Sequence, residues 1–326
     1  MQYSPFDTFN FGNKTCFLSG ETLDSTNQKI EVFPLWLQNR FELADQPFKL
    51  LNEQFSTYGK LKLPCSPSVN ETIIDPLEKK IEHAFTTGYS AVKELSELEI
   101  FHWFGKIMYG IIFNEIQVAL LEKPANEPLN MNVGLIDKFT NHHLLLQSMR
   151  LPMVFEDFTP WSVFVYEVEQ GADLFDYRDE MNTLIFSLQM NGFGILICMQ
   201  DNGENKRYHK EITERIADKK LHPAQFQEFC ARVYYSAYLF NRIPRYITLP
   251  PVRENDPYTI STMPLHGSQT KALFDPWQNK IYAQVLEAFW KRWGFVKFEI
   301  IKDPENPMTL LFNNKGEFIE NVELPV

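Results

Sequence analysis

The sequence has no run of lysine or arginine: of its 326 residues, 31 are basic and 42 acidic, a formal charge of -11. Nucleic-acid binders usually carry a basic face, so the composition speaks against that class, though a local basic groove on an acidic chain stays open. Long apolar runs are also missing. No segment supplies the roughly 18 uninterrupted apolar residues of a membrane span. The opening MQYSPFDTFNF has neither the basic nor the apolar region of a secretory signal. The expectation is a cytoplasmic chain with no membrane partner. Cysteine is scarce, and four residues (Cys16, Cys65, Cys198, Cys230) in a chain this long do not make a disulfide framework. Cys198 and Cys230 sit in apolar runs and read as small buried side chains. GxGxxG, GxxxxGK[ST], GxSxG and HExxH are all absent, as are internal repeats and low-complexity tracts, so no cofactor is implied.

What is present is material for a core: 44% of residues are hydrophobic and 28 are phenylalanine, which excludes a disordered chain. The length suggests two domains. The polar, proline-containing stretch KPANEPLNMN at 123–132 is the candidate boundary, dividing residues 1–122 from 133–326. Asp75-Pro76 offers an N-cap and a first-turn proline for a helix to about Thr87. Ser96 and Glu99 form a capping box for a second helix to Leu121, apolar on most faces. A third runs from Leu135 to Met149. After Trp161 the period shifts towards two in SVFVYEVE, TLIFSLQM and GILICMQD, with Asn191-Gly192 as a hairpin turn. Helices over about Lys206–Asp218, Pro223–Phe240 and Pro276–Trp293 follow, and FVKFEII and MTLLFN read as closing strands. The fold class is α+β: a hairpin and helix module, then helices packed with an antiparallel sheet.

The chemistry-bearing parts stand in a particular order. Cys16-Phe17-Leu18-Ser19-Gly20 lies in a predicted hairpin, then come Ile30-Glu31-Val32-Phe33-Pro34-Leu35-Trp36-Leu37, then Cys65-Ser66-Pro67-Ser68-Val69-Asn70, then the helix carrying Leu77 and Glu78. This order resembles that of bacterial HNH-type nucleases, whose treble-clef module has a CxxC knuckle, an E-H-V-F-P-x-W-L segment, a second CxxC followed by asparagines, and helices. The resemblance covers about residues 10–120. It implies a general-base histidine before V-F-P and a divalent metal that stabilises the leaving oxygen. Here the histidine position is Glu31 and the preceding acid is Ile30. Both knuckles have lost their second cysteine, leaving Cys16, Ser19, Cys65 and Ser68 as a vacated zinc site, because two thiolates and two neutral hydroxyls hold zinc poorly. Phe17, Leu18, Val32, Phe33, Trp36 and Leu63 would then hold the hairpins by packing.

Glu31 and Asn70 are the relict positions of the active centre, although a solvated carboxylate and a turn or cap asparagine are the plainer readings of both. The histidines form no metal cluster: His142 and His143 are adjacent on a helix and point about 100° apart. His83 and His102 fall on packing helices, and His209, His222 and His266 on loops or helix starts. Gln200-Asp201-Asn202-Gly203 reads as a turn, or as one wall of a cleft. The resemblance thus implies a catalytically silent HNH-like protein that binds another macromolecule, nucleic acid or protein, or serves structurally. Two alternatives stand beside it: an active metal-dependent nuclease with a substituted base, and a small-molecule-binding protein with its site in residues 150–326.

Overall fold

The apolar spacing of residues 100–116 requires a helix enclosed by other structure, and the chain supplies that enclosure. A computed structural model describes residues 2–50, 54–122, 131–170, 175–265 and 271–324. The described residues form an α+β fold with two compact units. The first comprises Met1–Thr86, Glu94–Phe158 and Arg245–Met263; the second comprises Thr87–Lys93, Thr159–Pro244 and Pro264–Val326. The first half of the chain contains β1 (Lys29–Glu31), α1 (Leu35–Arg40), β2 (Pro47–Lys49), β3 (Phe55–Thr57), β4 (Lys62–Pro64), α2 (Pro67–Val69), α3 (Asp75–Thr87), α4 (Tyr89–Lys93), α5 (Glu97–Glu122), α6 (Val133–Leu146) and β5 (Met153–Phe155). Then follow β6 (Ser162–Glu167), β7 (Asp176–Glu180), β8 (Ile185–Met190), β9 (Phe193–Cys198), α7 (Glu204–Tyr208), α8 (Lys210–Ile216), α9 (Pro223–Leu239), β10 (Tyr246–Leu249), β11 (Tyr258–Thr262), α10 (Asn279–Trp290) and α11 (Lys297–Ile300).

In the first unit, α5 starts at the expected capping box: the Glu99 amide donates to Ser96 Oγ (3.2 Å) and the Ser96 amide to Glu99 Oε2 (3.0 Å). Its side chains from Ile100 to Phe113 are almost all buried, including Trp103, Phe104, Ile107 and Tyr109. By length and composition it could cross a membrane, but most of its apolar window is buried inside the protein. A two-stranded antiparallel ladder of β1 and β4, Ile30 opposite Leu63, lies against it. At the closest approach is Gly110, where a Cβ would fall 2.6 Å from a methyl of Val32, so only glycine lets β1 come this near. Val32, Phe33, Leu63, Phe17 and Leu18 are all buried, as expected of the hairpin-holding residues, and Trp36 stacks on Trp103.

The helical run after β4 begins earlier than expected. Ser66, not Asp75, is the N-cap: its hydroxyl accepts from the Val69 amide (3.4 Å) with Pro67 in the first turn. Asn70–Ile74 then forms a π turn leading into α3. Pro76 lacks an amide and cannot close an ordinary helical turn, and the wider turn just before it absorbs that defect.

The linker expected at 123–132 lies outside the described residues up to 130. Asn132 caps α6 by accepting from the Gly134 amide (2.8 Å). α6, expected in the second domain, belongs to the first unit. His142 Nε2 meets the Gly105 carbonyl of α5 (2.9 Å), and His143 Nε2 meets the Phe17 carbonyl (2.8 Å). Three strands not expected from the sequence complete this unit, a sheet of order β10-β11-β5 in which β11 and β5 are parallel. They are short, and residues from two distant parts of the chain form them, so no local pattern announces the pairing.

The second unit is built on an antiparallel sheet of order β6-β9-β8-β7. β8 and β9 join through Asn191 and Gly192, both with positive φ, the two-residue turn expected there. β7, DYRDE, is too polar to have announced itself. Phe226, Phe229, Cys230 and Val233 of α9 enter one core with Phe164, Ile185, Leu196 and Cys198 of the sheet. The helix expected over Lys206–Asp218 is broken at His209 into α7 and α8. The two closing strands are corrected. Phe295–Ile301 holds a turn of helix, α11, preceded by Val296, whose amide donates to Glu299 Oε2 (3.4 Å). In MTLLFN the amides of Leu310 and Leu311 donate to the buried carboxylate of Glu228 (2.7 and 3.2 Å), and Phe312 keeps a single antiparallel bridge, to Phe318.

His142 and His143 are fully buried, and burial pushes both down to about 4. The unfolded chain takes up their protons below about 6.5, the folded chain only near 4, so stability is constant above about pH 6.5 and falls as the pH drops towards 4. Between about pH 7.5 and about pH 5 the loss should be on the order of 2 kcal/mol for each histidine, read as a drop in the urea midpoint. A midpoint flat over that range would mean that these rings are not buried as described.

Candidate functional site

The N-terminal knuckle is a tight turn. The Cys16 amide donates to the Glu21 carbonyl (2.8 Å) and the Gly20 amide to the Cys16 carbonyl (3.0 Å). Gly20 has a φ of 75°, a left-handed conformation in which Tyr3 would also clash with any Cβ. The Phe17 amide donates to the Pro64 carbonyl (2.8 Å) and the Cys65 amide to the Gln28 carbonyl (3.0 Å), pinning the knuckle beside the end of β4. Cys16 and Cys65 therefore face each other. The Cys65 thiol donates to the Ser66 carbonyl (3.5 Å) and the Glu21 amide to Ser19 Oγ (3.3 Å). Chiefly through the neighbouring Cys65 thiol, and against the effect of burial, Cys16 is held well below the ordinary thiol range. The neighbouring Cys16 and burial together push Cys65 up.

The four positions singled out in the sequence are thus unequally placed. Cys16, Ser19 and Cys65 are neighbours, with Ser66 beside them. Ser68 is exposed, with its Oγ 3.2 Å from that of Ser66. Among the described residues no group of three or more histidine, cysteine or acidic side chains is placed to hold a metal.

A second polar cluster lies where β1, β4, α3 and α5 meet. Glu31 and Lys62 are register partners, and their side chains form an ion pair. Lys106, which projects from α5 and is almost wholly buried, donates to Glu78 Oε1 (2.6 Å) and reaches the Glu31 carbonyl (3.4 Å). Glu78 Oε2 accepts from the Trp103 indole (2.9 Å). Asn114 Nδ2 donates to the Lys62 carbonyl (3.0 Å). One Glu31 oxygen, Oε2, and the Trp36 indole N–H are buried with no hydrogen-bond partner. Asn70 uses its backbone in the π turn, donating to the Ser66 carbonyl (3.0 Å) and accepting from the Asp75 amide. No hydrogen bond or ion pair joins Asn70 to Glu31 among the described residues. Sequence reasoning missed Lys62 and Lys106, and named Glu78 only as part of the helix after the second knuckle. The signal was there for one of them: Lys106 is the only charge between Ile100 and Phe113 on a helix apolar on most faces, and a buried charge requires a counter-charge.

In the second unit the Gln200–Gly203 turn is closed upon itself rather than forming a cleft wall. Both oxygens of Asp201 are saturated, by Ser162 Oγ (2.7 Å), the amides of Gly203 (3.1 Å) and Asn205 (2.8 Å), and Asn205 Nδ2 (3.0 Å). Ser236 Oγ donates to Asn205 Oδ1 (2.6 Å) and lies 2.8 Å from His209 Nε2. Burial pushes His209 down to about 3 and keeps it neutral. His222 caps α9, and its Nδ1 accepts from the Ala224 amide (3.1 Å). His102 meets Ser148 (2.8 Å), and His266 lies outside the described residues. A surface cleft of about 580 Å³ is lined by Gln278, Asn279, Lys297, Phe298 and Ile301, all exposed or half-buried.

Comparison with known families, with characterised proteins and with solved structures gives no match in any of the three.

Lys106→Met should cost roughly 3–5 kcal/mol, since it strands the Glu78 carboxylate, while Glu78→Leu with Lys106→Met should recover most of that. Urea unfolding measures both. A double variant no more stable than the single would show that Glu78 has another partner.

Proposed function

We propose that residues 10–120 are an HNH-like scaffold whose catalytic chemistry has been replaced by internal ion pairing, and that the protein binds another macromolecule, a protein in preference to nucleic acid. One observation carries the reading: Glu31, at the position where the resemblance puts the water-activating base, is ion-paired with Lys62 and adjoins the Lys106–Glu78 pair. One of its two oxygens, Oε1, is taken up by that pair. The charge of -11 speaks against a polyanionic partner. The sheet of the first unit presents Val154, Ile247 and Leu249 on one face, each about half exposed, which suits a protein surface better than a phosphate backbone.

The experiment is an assay of purified full-length chain on DNA and RNA with magnesium, manganese or zinc. No cleavage above background is expected, with binding to either nucleic acid no tighter than about micromolar at physiological salt, the non-specific range. Cleavage that disappears in Glu31→Ala or Asn70→Ala would overturn the reading and establish a nuclease with a substituted base.

A further inference from the structure

The cleft between the start of α10 and α11, wholly within the second unit, has walls fixed by hydrogen bonds. Trp277 Nε1 donates to Asn279 Oδ1 (3.1 Å), and Asn279 Nδ2 donates to the carbonyls of Pro304 (3.0 Å) and Glu305 (3.1 Å), which ties the loop after α11 to the first turn of α10. Asp303 closes that loop on itself, accepting from the Glu305 amide (3.0 Å) and Asn306 Nδ2 (3.0 Å). The Met308 amide then returns to the Ile300 carbonyl of α11 (2.7 Å). A cleft held in this way is formed before a ligand arrives, and its volume of about 580 Å³ is that of a site for a small organic molecule.

Its lining has two characters. Phe298, Ile301 and Pro304 make an apolar wall, and the Phe298 ring is 86% exposed, leaving an aromatic face open for a second ring to cover. Lys280, Lys297 and Glu305 supply charge. Among the described residues neither ammonium group enters an ion pair, because the other carboxylates nearby are engaged with the backbone. Glu287 accepts from the Lys297 amide (2.8 Å), Glu299 from the Val296 amide (3.4 Å), and Asp303 is held in its own loop. Two free ammonium groups against one carboxylate leave the cleft positive on a chain whose formal charge is -11.

We propose that this cleft binds a small aromatic carboxylate, with its ring against Phe298, Ile301 and Pro304 and its carboxylate paired with Lys280 and Lys297. An anion without a ring would meet only solvated ammonium groups, whose attraction is largely screened. A neutral ring would gain packing but no charge-assisted hydrogen bond. Affinity therefore needs both parts on one molecule. The inference gives a place to the small-molecule reading of residues 150–326, and it stands whether or not residues 10–120 bind a macromolecule.

The test is calorimetric titration of the full chain with 2-naphthoate, with its neutral isostere 2-naphthamide, and with acetate. One 2-naphthoate should bind per chain with a Kd of about 1 mM or below, at least about tenfold tighter than either control. Raising the salt from about 0.05 to about 0.5 M should weaken 2-naphthoate several-fold and leave 2-naphthamide unchanged. Lys280→Met with Lys297→Met should bring 2-naphthoate down to the level of 2-naphthamide, and Phe298→Ala should weaken both aromatic probes. The comparison of probes on the unaltered chain does not depend on any variant folding. Equal binding of 2-naphthoate and 2-naphthamide, equal binding of 2-naphthoate and acetate, 2-naphthoate binding undiminished in the double lysine variant, or no binding of 2-naphthoate at all would overturn the proposal.

Discussion

Much of the first unit follows from enclosing α5. A helix apolar on almost every side gains about 1.5–3 kcal/mol for each large side chain withdrawn from water, and it gains this only if structure covers it all round. The β1–β4 ladder covers one side at Gly110, and α6 covers another through His142 at the Gly105 carbonyl. Enclosure has a cost where the helix carries a charge. Lys106 lies in the middle of the buried stretch, and Glu78, the Glu31 carbonyl and the Trp103 indole are arranged around its ion pair.

The two polar clusters share a logic. Each sits at a position where the resemblance implies a reactive or metal-binding group, and in each the polar atoms engage one another instead. In the knuckle, the Cys65 thiol donates to the Ser66 carbonyl and the Ser66 and Ser68 hydroxyls lie 3.2 Å apart. At the end of β1, Lys62 neutralises Glu31 across the ladder. The exception is Glu31 Oε2, which remains buried without a partner. Such an atom carries a free-energy penalty that a bound water or cation would relieve.

Elements written in local chemistry were legible: the Ser96–Glu99 capping box, the Asn191-Gly192 turn, the apolar strands β6, β8 and β9, and the buried Cys198 and Cys230. Those set by distant partners were not. β7 is polar and carries no strand pattern of its own, although its partner β8 is next in the chain, while β10, β11 and β5 come together from two separate parts of the chain. The segments after Phe295 and Met308 read as strands, but the Val296 amide finds Glu299 and the Leu310 amide finds Glu228. At the candidate site, the cysteines could be named from the sequence because knuckle spacing is local. The Lys106–Glu78 pair could not, because the two residues are 28 positions apart and belong to different helices.

On the proposed reading, the knuckle is a metal site emptied by substitution and now held by hydrogen bonding and packing. Zinc binding at neutral pH requires ligands that release a proton readily, which serine does not. The most direct measurement is a zinc titration of the chain carrying Ser19→Cys and Ser68→Cys, followed by thermal unfolding with and without metal. One zinc bound per chain, with a zinc-dependent rise in Tm that a chelator reverses, is the predicted result, because a ligand held only by the folded state stabilises it. A double variant that folds but binds no zinc would contradict the account and remove the HNH comparison with it.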